Sequence, residues 1–282
     1  MSHGSPLVDV PTLRAELAGG DPPVLLDVRW ALGGPDGAAE YAAGHLPGAV
    51  FVDLDTQLSR PRRAGEGRHP LPDPAALQEV LRDAGISAGS PVVVYDAATS
   101  TSAARGWWVL RWAGLRTVRV LDGGLAAWTA AGLPLSTDVP LPDPGDVEVA
   151  PGTLPVLDAA EVAELARTGL VLDARAAERY RGDVEPVDPV AGHVPGAVNS
   201  PTTANVTASG TFLPAEELRA RFAAVGAGAE EPVGVYCGSG VTAAHTLLAL
   251  EVAGLRGTLY PGSWSEWVAD ASRPVATGAD PG

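Results

Sequence analysis
The sequence predicts an α/β protein built as two similar domains, each a mainly parallel sheet with helices on both faces. Three observations predict it. Short β-rich runs alternate with amphipathic stretches along the whole chain. The second half repeats the landmarks of the first in the same order. Each half also carries an apolar run that ends on one polar residue where a helix is about to start, Asp96 in the first and Cys237 in the second.

The repeat is visible in five places. LLDVRW at Leu25–Trp30 matches VLDAR at Val171–Arg175, and GHLPGAV at Gly44–Val50 matches GHVPGAV at Gly192–Val198. PVVVY before Asp96 matches PVGVY before Cys237. WAGLR at Trp112–Arg116 matches VAGLR at Val252–Arg256, and DGGLAAW at Asp122–Trp128 matches PGSWSEW at Pro261–Trp267. Two copies are too few for a solenoid, so two domains are expected: residues 7–137, a linker over 138–155, and residues 156–279. The linker, PLPDPGDVEVAPGTLP over Pro140–Pro155, is dense in proline and glycine.

Within the first half, Val24–Asp27, Val92–Tyr95 and Val118–Leu121 read as strands. Ala75–Ala84 and Ala103–Ala113 read as helices stopped by Gly85 and Gly114. Arg60–Pro74 (RPRRAGEGRHPLPDP) reads as a polar loop with a shorter counterpart near Ser209–Thr211. In the second half Val233–Tyr236 reads as a buried strand, and a helix is expected from Ala243 to near Gly254. Trp107, Trp108 and Trp112 have helical spacing and are assigned to the core; Trp264 and Trp267 are expected to pack a closing helix.

Composition narrows the function. The 282 residues carry a net charge of −15, which argues against nucleic acid and anionic membrane as partners. All 19 basic residues are arginine, so Schiff-base lysine chemistry and a lysine-bearing P-loop are excluded. One cysteine allows no internal disulfide. The five histidines, His3, His45, His69, His193 and His245, are scattered, and no metal site or cofactor is expected. The N-terminal stretch lacks signal-peptide features and no apolar run approaches a membrane span, so a cytoplasmic location is expected.

Cys237 is the most informative residue. A thiol between strand and helix faces the unpaired N–H groups of the first helical turn and the positive end of the helix dipole, which favour negative charge on sulfur. The competing reading is a small buried hydrophobe. Gly238, Ser239 and Gly240 favour chemistry, because small residues let backbone amides turn inward around an anion. The loop after Asp96, AATSTS, has no glycine and is not expected to hold an anion. The second half is therefore expected to be catalytic and the first to support it.

These residues resemble the tandem-domain rhodanese family of sulfurtransferases over about Leu7 to Gly278. The repeated GHxPGA motif, the Asp-for-Cys replacement and the CGSGVT loop carry the resemblance. The loop is close to that of 3-mercaptopyruvate sulfurtransferases; thiosulfate-preferring relatives have arginine and lysine where this chain has Gly238 and Ser239. A neutral loop suits a substrate with one carboxylate and a ketone better than a dianion.

The resemblance implies covalent catalysis through a Cys237 persulfide, with the loop residues Gly238, Gly240, Val241 and Thr242 at the substrate. It implies Ser239, His45 and Asp36 as proton-moving residues, assembled across the cleft between the halves. His193 occupies the same motif position in the second half, so a structural turn histidine is the alternative for His45. Arg179 matches a carboxylate-binding arginine of the family. The second arginine lies just past the EP pair in relatives, where this chain has Val187-Asp188-Pro189; Arg181 is the nearby substitute. Trp30 matches an aromatic near the active cleft. Arg29 and Arg175, each two residues after a strand aspartate, are read as structural.

The expected partners are a small-molecule sulfur donor and a thiol acceptor, such as a thioredoxin-like protein, or cyanide. Two other functions compete. A thiosulfate:cyanide sulfurtransferase uses the same thiol, and a non-catalytic sulfur-carrier or regulatory module needs no donor specificity. A Cys-x5-Arg phosphatase is excluded, because Ala243 stands where its arginine belongs.

Overall fold
A computed structural model describes residues 5–229 and 231–282; His3 lies outside them. The chain forms two compact units. The first takes in the residues up to Arg60, Leu71–Leu154 and Thr207–Phe212; the second takes in Pro61–Pro70, Pro155–Val206 and Leu213–Gly282.

In chain order the first unit contains β1 (Leu7–Val8), α1 (Val10–Leu17), β2 (Val24–Asp27), α2 (Gly37–Ala43), β3 (Val50–Phe51), α3 (Pro74–Asp83), β4 (Val92–Tyr95), α4 (Thr101–Trp112), β5 (Val118–Leu121) and α5 (Gly124–Ala130). Its five strands lie in the order β1-β5-β4-β2-β3, and every pair is parallel. β4 is buried at every position because the sheet is covered on both faces. Val93 and Tyr95 face a core with Leu13 of α1 and Trp128 of α5. Val94 faces α4, where a Cβ on Gly106 would stand 3.0 Å from Val94 Cγ1.

The second unit contains α6 (Ala159–Thr168), β6 (Leu170–Asp173), α7 (Ala177–Arg181), β7 (Val198–Asn199), a 3-10 turn at Thr202–Asn205, α8 (Ala215–Ala224), β8 (Val233–Tyr236), α9 (Val241–Val252), β9 (Thr258–Leu259) and α10 (Ser263–Trp267). Its sheet, β7-β6-β8-β9, is again parallel. The α/β reading therefore holds in both halves. α9 starts two residues before the expected Ala243. Trp107, Trp108 and Trp112 are buried on α4, and Trp264 and Trp267 on α10.

The duplication extends to single hydrogen bonds. Arg29 forms a buried ion pair with Asp27 and donates to the Gly44 carbonyl at 2.9 Å; Arg175 pairs with Asp173 and donates to Gly192 at 2.6 Å. The strand tyrosines Tyr95 and Tyr236 accept the N–H of Leu46 and Val194, both at 3.1 Å. Tyr41 and Tyr180 donate to the carbonyls of Ala49 and Ala197, both at 2.7 Å. The Asp-x-Arg and GHxPGA motifs are thus the two ends of one brace that fixes the carboxyl end of a strand. A buried ion pair of this kind is costly to break, about 3–5 kcal/mol when one partner is removed.

Residues of the expected linker pack on the first unit. Gly145 and Val147 donate to the carbonyls of Arg82 and Ile86, and Ala150 donates to Ala113. A Cβ on Gly145 would lie 2.0 Å from the Ile86 oxygen, so only glycine allows this approach. Among the described residues no helix is long and apolar enough to cross a membrane.

Candidate active site
β8 delivers Cys237 to the carboxyl edge of the second sheet, and α9 begins four residues later. The cysteine is buried, and its Sγ accepts the backbone N–H of Gly240 at 3.1 Å. Gly240 has φ 81°, the left-handed region, and a Cβ there would meet the Pro261 oxygen at 2.7 Å. The turn that points this amide at sulfur therefore requires glycine.

α10 explains how the loop peptides are oriented. Trp264 N–H donates to the Cys237 carbonyl at 2.9 Å, and Ser265 N–H donates to the Gly238 carbonyl at 3.0 Å. Ser263 Oγ accepts the Cys237 N–H at 3.2 Å. With these carbonyls drawn toward α10, the amides that follow them point the other way. Ser239 of the loop is buried beside them. Val241 is buried and Thr242 half-buried at the start of α9.

The first unit builds the same loop around a carboxyl group. The Asp96 carboxylate accepts the N–H groups of Ala98 (3.1 Å), Ser100 (3.0 Å), Ser102 (3.0 Å) and Ala103 (3.2 Å), and the Ser102 hydroxyl at 3.2 Å. Leu125 and Ala126 of α5 donate to the carbonyls of Asp96 and Ala97, as α10 does in the second unit. This corrects the expectation that the glycine-free loop holds no anion: it holds its own carboxylate. Ser100 takes the left-handed conformation at φ 59° that Gly240 takes in the other half.

Arginine surrounds the cysteine loop. Arg179, on α7, donates through Nε and Nη2 to Glu185 at 3.1 and 2.6 Å, and Nη2 reaches Asp188 at 3.3 Å. A Cβ on Gly238 would lie 3.7 Å from both terminal nitrogens of Arg179 and 2.8 Å from Nη2 of Arg68. Two guanidinium groups therefore fill the space above Gly238. Burial pushes the Glu185 carboxyl up, but the Arg179 guanidinium and the Val187 and Asp188 amides together hold it below the ordinary value. Burial pushes Asp188 up despite Arg68 beside it.

The geometry can now be set beside known proteins. The rhodanese-like domain family matches residues 9–131 and again 158–270. The chain belongs to the rhodanese family. A Pseudomonas aeruginosa protein named as a probable 3-mercaptopyruvate sulfurtransferase is 51% identical over 263 residues, 90% of this chain and 92% of its own length. A Mycobacterium tuberculosis protein named as a putative thiosulfate sulfurtransferase, SseB, is 49% identical over 280 residues, 98% of this chain and 99% of its own. The crystal structure of SseA, a 3-mercaptopyruvate sulfurtransferase of Escherichia coli, aligns with a TM-score of 0.82 at 34% identity, covering 93% of this chain and all of that one. The sulfurtransferase class read from the sequence agrees with all three.

Within this rhodanese, His45, Asp36 and Arg181 have other partners than the relay and clamp expected of them. His45 is fully buried, stacked on Tyr41 at 3.8 Å between ring centroids, with Nδ1 2.8 Å from the Tyr41 carbonyl and Nε2 3.0 Å from that of Asp138. His193 repeats this against the carbonyls of Tyr180 (2.8 Å) and Pro281 (3.2 Å). Both ring nitrogens are thus engaged by the backbone, and the motif histidine is a structural pin. Asp36 caps α2, accepting the N–H groups of Ala38 (2.9 Å) and Ala39 (3.4 Å), and makes no hydrogen bond to His45. The His45–Asp36 relay is therefore not formed. Arg181 pairs with Asp183 at 2.8 Å on the surface. Two residues after Arg179 on one helix, it points to the opposite side and cannot share its ligand. Trp30 donates its indole N–H to Asp55 at 2.9 Å in the first unit.

Sequence reasoning missed Arg68, whose side chain lies over Gly238, and gave no role to the adjacent His69. Both sit in the Pro61–Pro70 segment of the second unit. Gly67 abuts Gly262 at the start of α10, where a Cβ would meet the Gly262 oxygen at 2.4 Å, and Arg68 N–H donates to Ser265 Oγ at 3.0 Å. His69 follows directly and is buried. The available signal was the arginine-rich run broken by Gly65 and Gly67, which also fits a solvated loop.

Proposed function
We propose that this enzyme moves sulfane sulfur from 3-mercaptopyruvate to a thiol acceptor through a persulfide on Cys237. The observation that carries the reading is the Gly240 amide at 3.1 Å from Sγ in a loop that Arg179 overlooks. The amide and the α9 N-terminus stabilise anionic sulfur, and the guanidinium receives a carboxylate.

The Cys237 thiolate attacks the donor sulfur. The new S–S bond forms as the donor C–S bond breaks, and the electron pair leaves on carbon as the pyruvate enolate. A proton then converts the enolate to pyruvate. An acceptor thiolate next attacks the outer sulfur, and Cys237 departs as thiolate. Ser239, in the same loop, is assigned the hydrogen bond to the donor ketone. His69, on the segment that lies against α10, is assigned the proton step in place of His45. A small thiol and a thioredoxin-like protein both fit the acceptor role, since each supplies a thiolate.

The test is intact-protein mass after incubation with 3-mercaptopyruvate. A gain of one sulfur atom is expected, lost on Cys237→Ser and discharged by a small thiol. A larger kcat/KM for thiosulfate than for 3-mercaptopyruvate would make thiosulfate the donor. No sulfur gain from either compound would leave a binding module.

A further inference from the structure
We infer that Trp264 is a positioning residue for donor binding: its indole clasps the segment that supports Arg179 to the helix that orients the cysteine loop. This inference rests on the proposed carboxylate donor and deepens that reading.

The duplication supplies the comparison. Between the motif tyrosine and the motif glycine the first half has two residues, from Tyr41 to Gly44, and the second has eleven, from Tyr180 to Gly192. The longer segment carries Glu185 and Asp188, the two carboxylates that hold Arg179. Where the second half has Arg179, just before the tyrosine, the first has Glu40. Where the second half has Trp264, the first has Leu125. Leu125 N–H donates to the Asp96 carbonyl at 2.8 Å, as Trp264 N–H does to that of Cys237 at 2.9 Å. The backbone task therefore needs no tryptophan. The indole accompanies the longer segment and the donor arginine.

The ring makes two contacts that leucine cannot. Its N–H donates to the Val190 carbonyl at 2.8 Å, inside the longer segment and two residues past Asp188. Its face lies under the Arg175 guanidinium, 4.5 Å from the ring centroid, a cation–π contact in a fully buried place. Arg175 in turn reaches Glu185 through Nη1 at 3.4 Å, and Glu185 accepts from Arg179 Nε at 3.1 Å and Nη2 at 2.6 Å. The N–H groups of Val187 and Asp188 both donate to the same Glu185 carboxylate at 3.1 Å, so the segment folds around it. Trp264 thus grips the support of Arg179 twice, directly at Val190 and through Arg175. In the first half Arg29 makes the matching ion pair with Asp27 and the matching bond to Gly44, and Leu125 offers it no ring. Because the backbone of Trp264 also fixes the Cys237 carbonyl, one residue sets where Arg179 stands relative to the sulfur. A small misplacement of a substrate-positioning group is costly.

Trp264→Leu and Trp264→Phe are the test, assayed with 3-mercaptopyruvate, with pyruvate as a product inhibitor, and by amide hydrogen exchange. Leucine is the residue of the first half and loses both contacts; phenylalanine keeps a ring face and loses the N–H. Trp264→Leu is expected to raise KM about tenfold or more and to weaken pyruvate inhibition in parallel. kcat should fall less than KM rises, since the backbone bond to Cys237 remains. Trp264→Phe should lie between this variant and wild type, and it carries the test alone if the leucine variant does not fold. Exchange should quicken within residues 182–191 ahead of the rest of the second unit. A purely structural role would lower the melting temperature and quicken exchange evenly, with KM and pyruvate inhibition of the folded fraction unmoved. Unchanged KM and pyruvate inhibition, with an active wild type, overturn the inference alone. A wild type that takes no sulfur from 3-mercaptopyruvate overturns the donor reading and this inference together.

Discussion

The backbone N–H of Gly240 points at Sγ of Cys237 from 3.1 Å, and the turn that aims it has no room for a side chain. Gly240→Ala would put a Cβ against the Pro261 oxygen in the left-handed region, a strain of about 1–3 kcal/mol. The expected result is slower persulfide formation with a modest fall in melting temperature, read by stopped mass spectrometry at fixed donor. A variant as fast as wild type would show that this amide does not assist the sulfur.

Asp96 takes in its loop the place that Cys237 takes in the other half. Burial pushes its carboxyl up and the surrounding amides pull it back. Asp96→Ala would strand those amides, at a cost of about 2–4 kcal/mol. Chemical denaturation should show that loss, and Asp96→Asn should lose stability as well, since its NH2 faces donors. A neutral outcome for both would mean water replaces the carboxylate.

Two histidine substitutions should behave in opposite ways. His45→Asn removes a pin between Tyr41 and the Asp138 carbonyl, so thermal stability should fall while kcat of the folded enzyme stays near wild type. His69→Asn should lower kcat by about 10²-fold or more, the usual contribution of a proton carrier. The reverse pattern would return the proton step to His45.

The two arginines of α7 should separate cleanly. Arg179→Ala is expected to raise KM for 3-mercaptopyruvate about tenfold or more, while Arg181→Ala, paired with Asp183 at the surface, should leave KM unchanged. Steady-state kinetics on the two variants decides the matter.

Glu185 gives a pH signature. Its carboxyl is held below the ordinary value of 4.5 in the folded protein. A depressed carboxylate adds stability above its unfolded pKa and loses it as pH falls through the folded pKa. Glu185→Gln should therefore be less stable than wild type at neutral pH, with the gap closing on the acid side of 4.5. A gap that is constant down to strongly acid pH would mean that the carboxylate charge contributes nothing.

Much of this was legible in the sequence because the signals are local. The strands at Val24, Val92, Val118 and Val233 fall where valine-rich runs predict them. The Cys237 turn is marked by its own glycines. The limits have physical causes. Asp96 looked idle because its ligands are backbone amides, which leave no trace in residue types. His45 looked catalytic because the motif names an imidazole without naming the carbonyls that occupy it. Arg68 was invisible because its partner Asp188 lies 120 positions away, and a charged loop looks the same whether it is solvated or docked.

The segment Pro61–Pro70 belongs to the second unit although the chain writes it within the first half, and Thr207–Phe212 does the converse. The two copies have each lent the other a piece. A gene fragment encoding the cysteine half alone would therefore express the nucleophile stripped of Arg68 and His69.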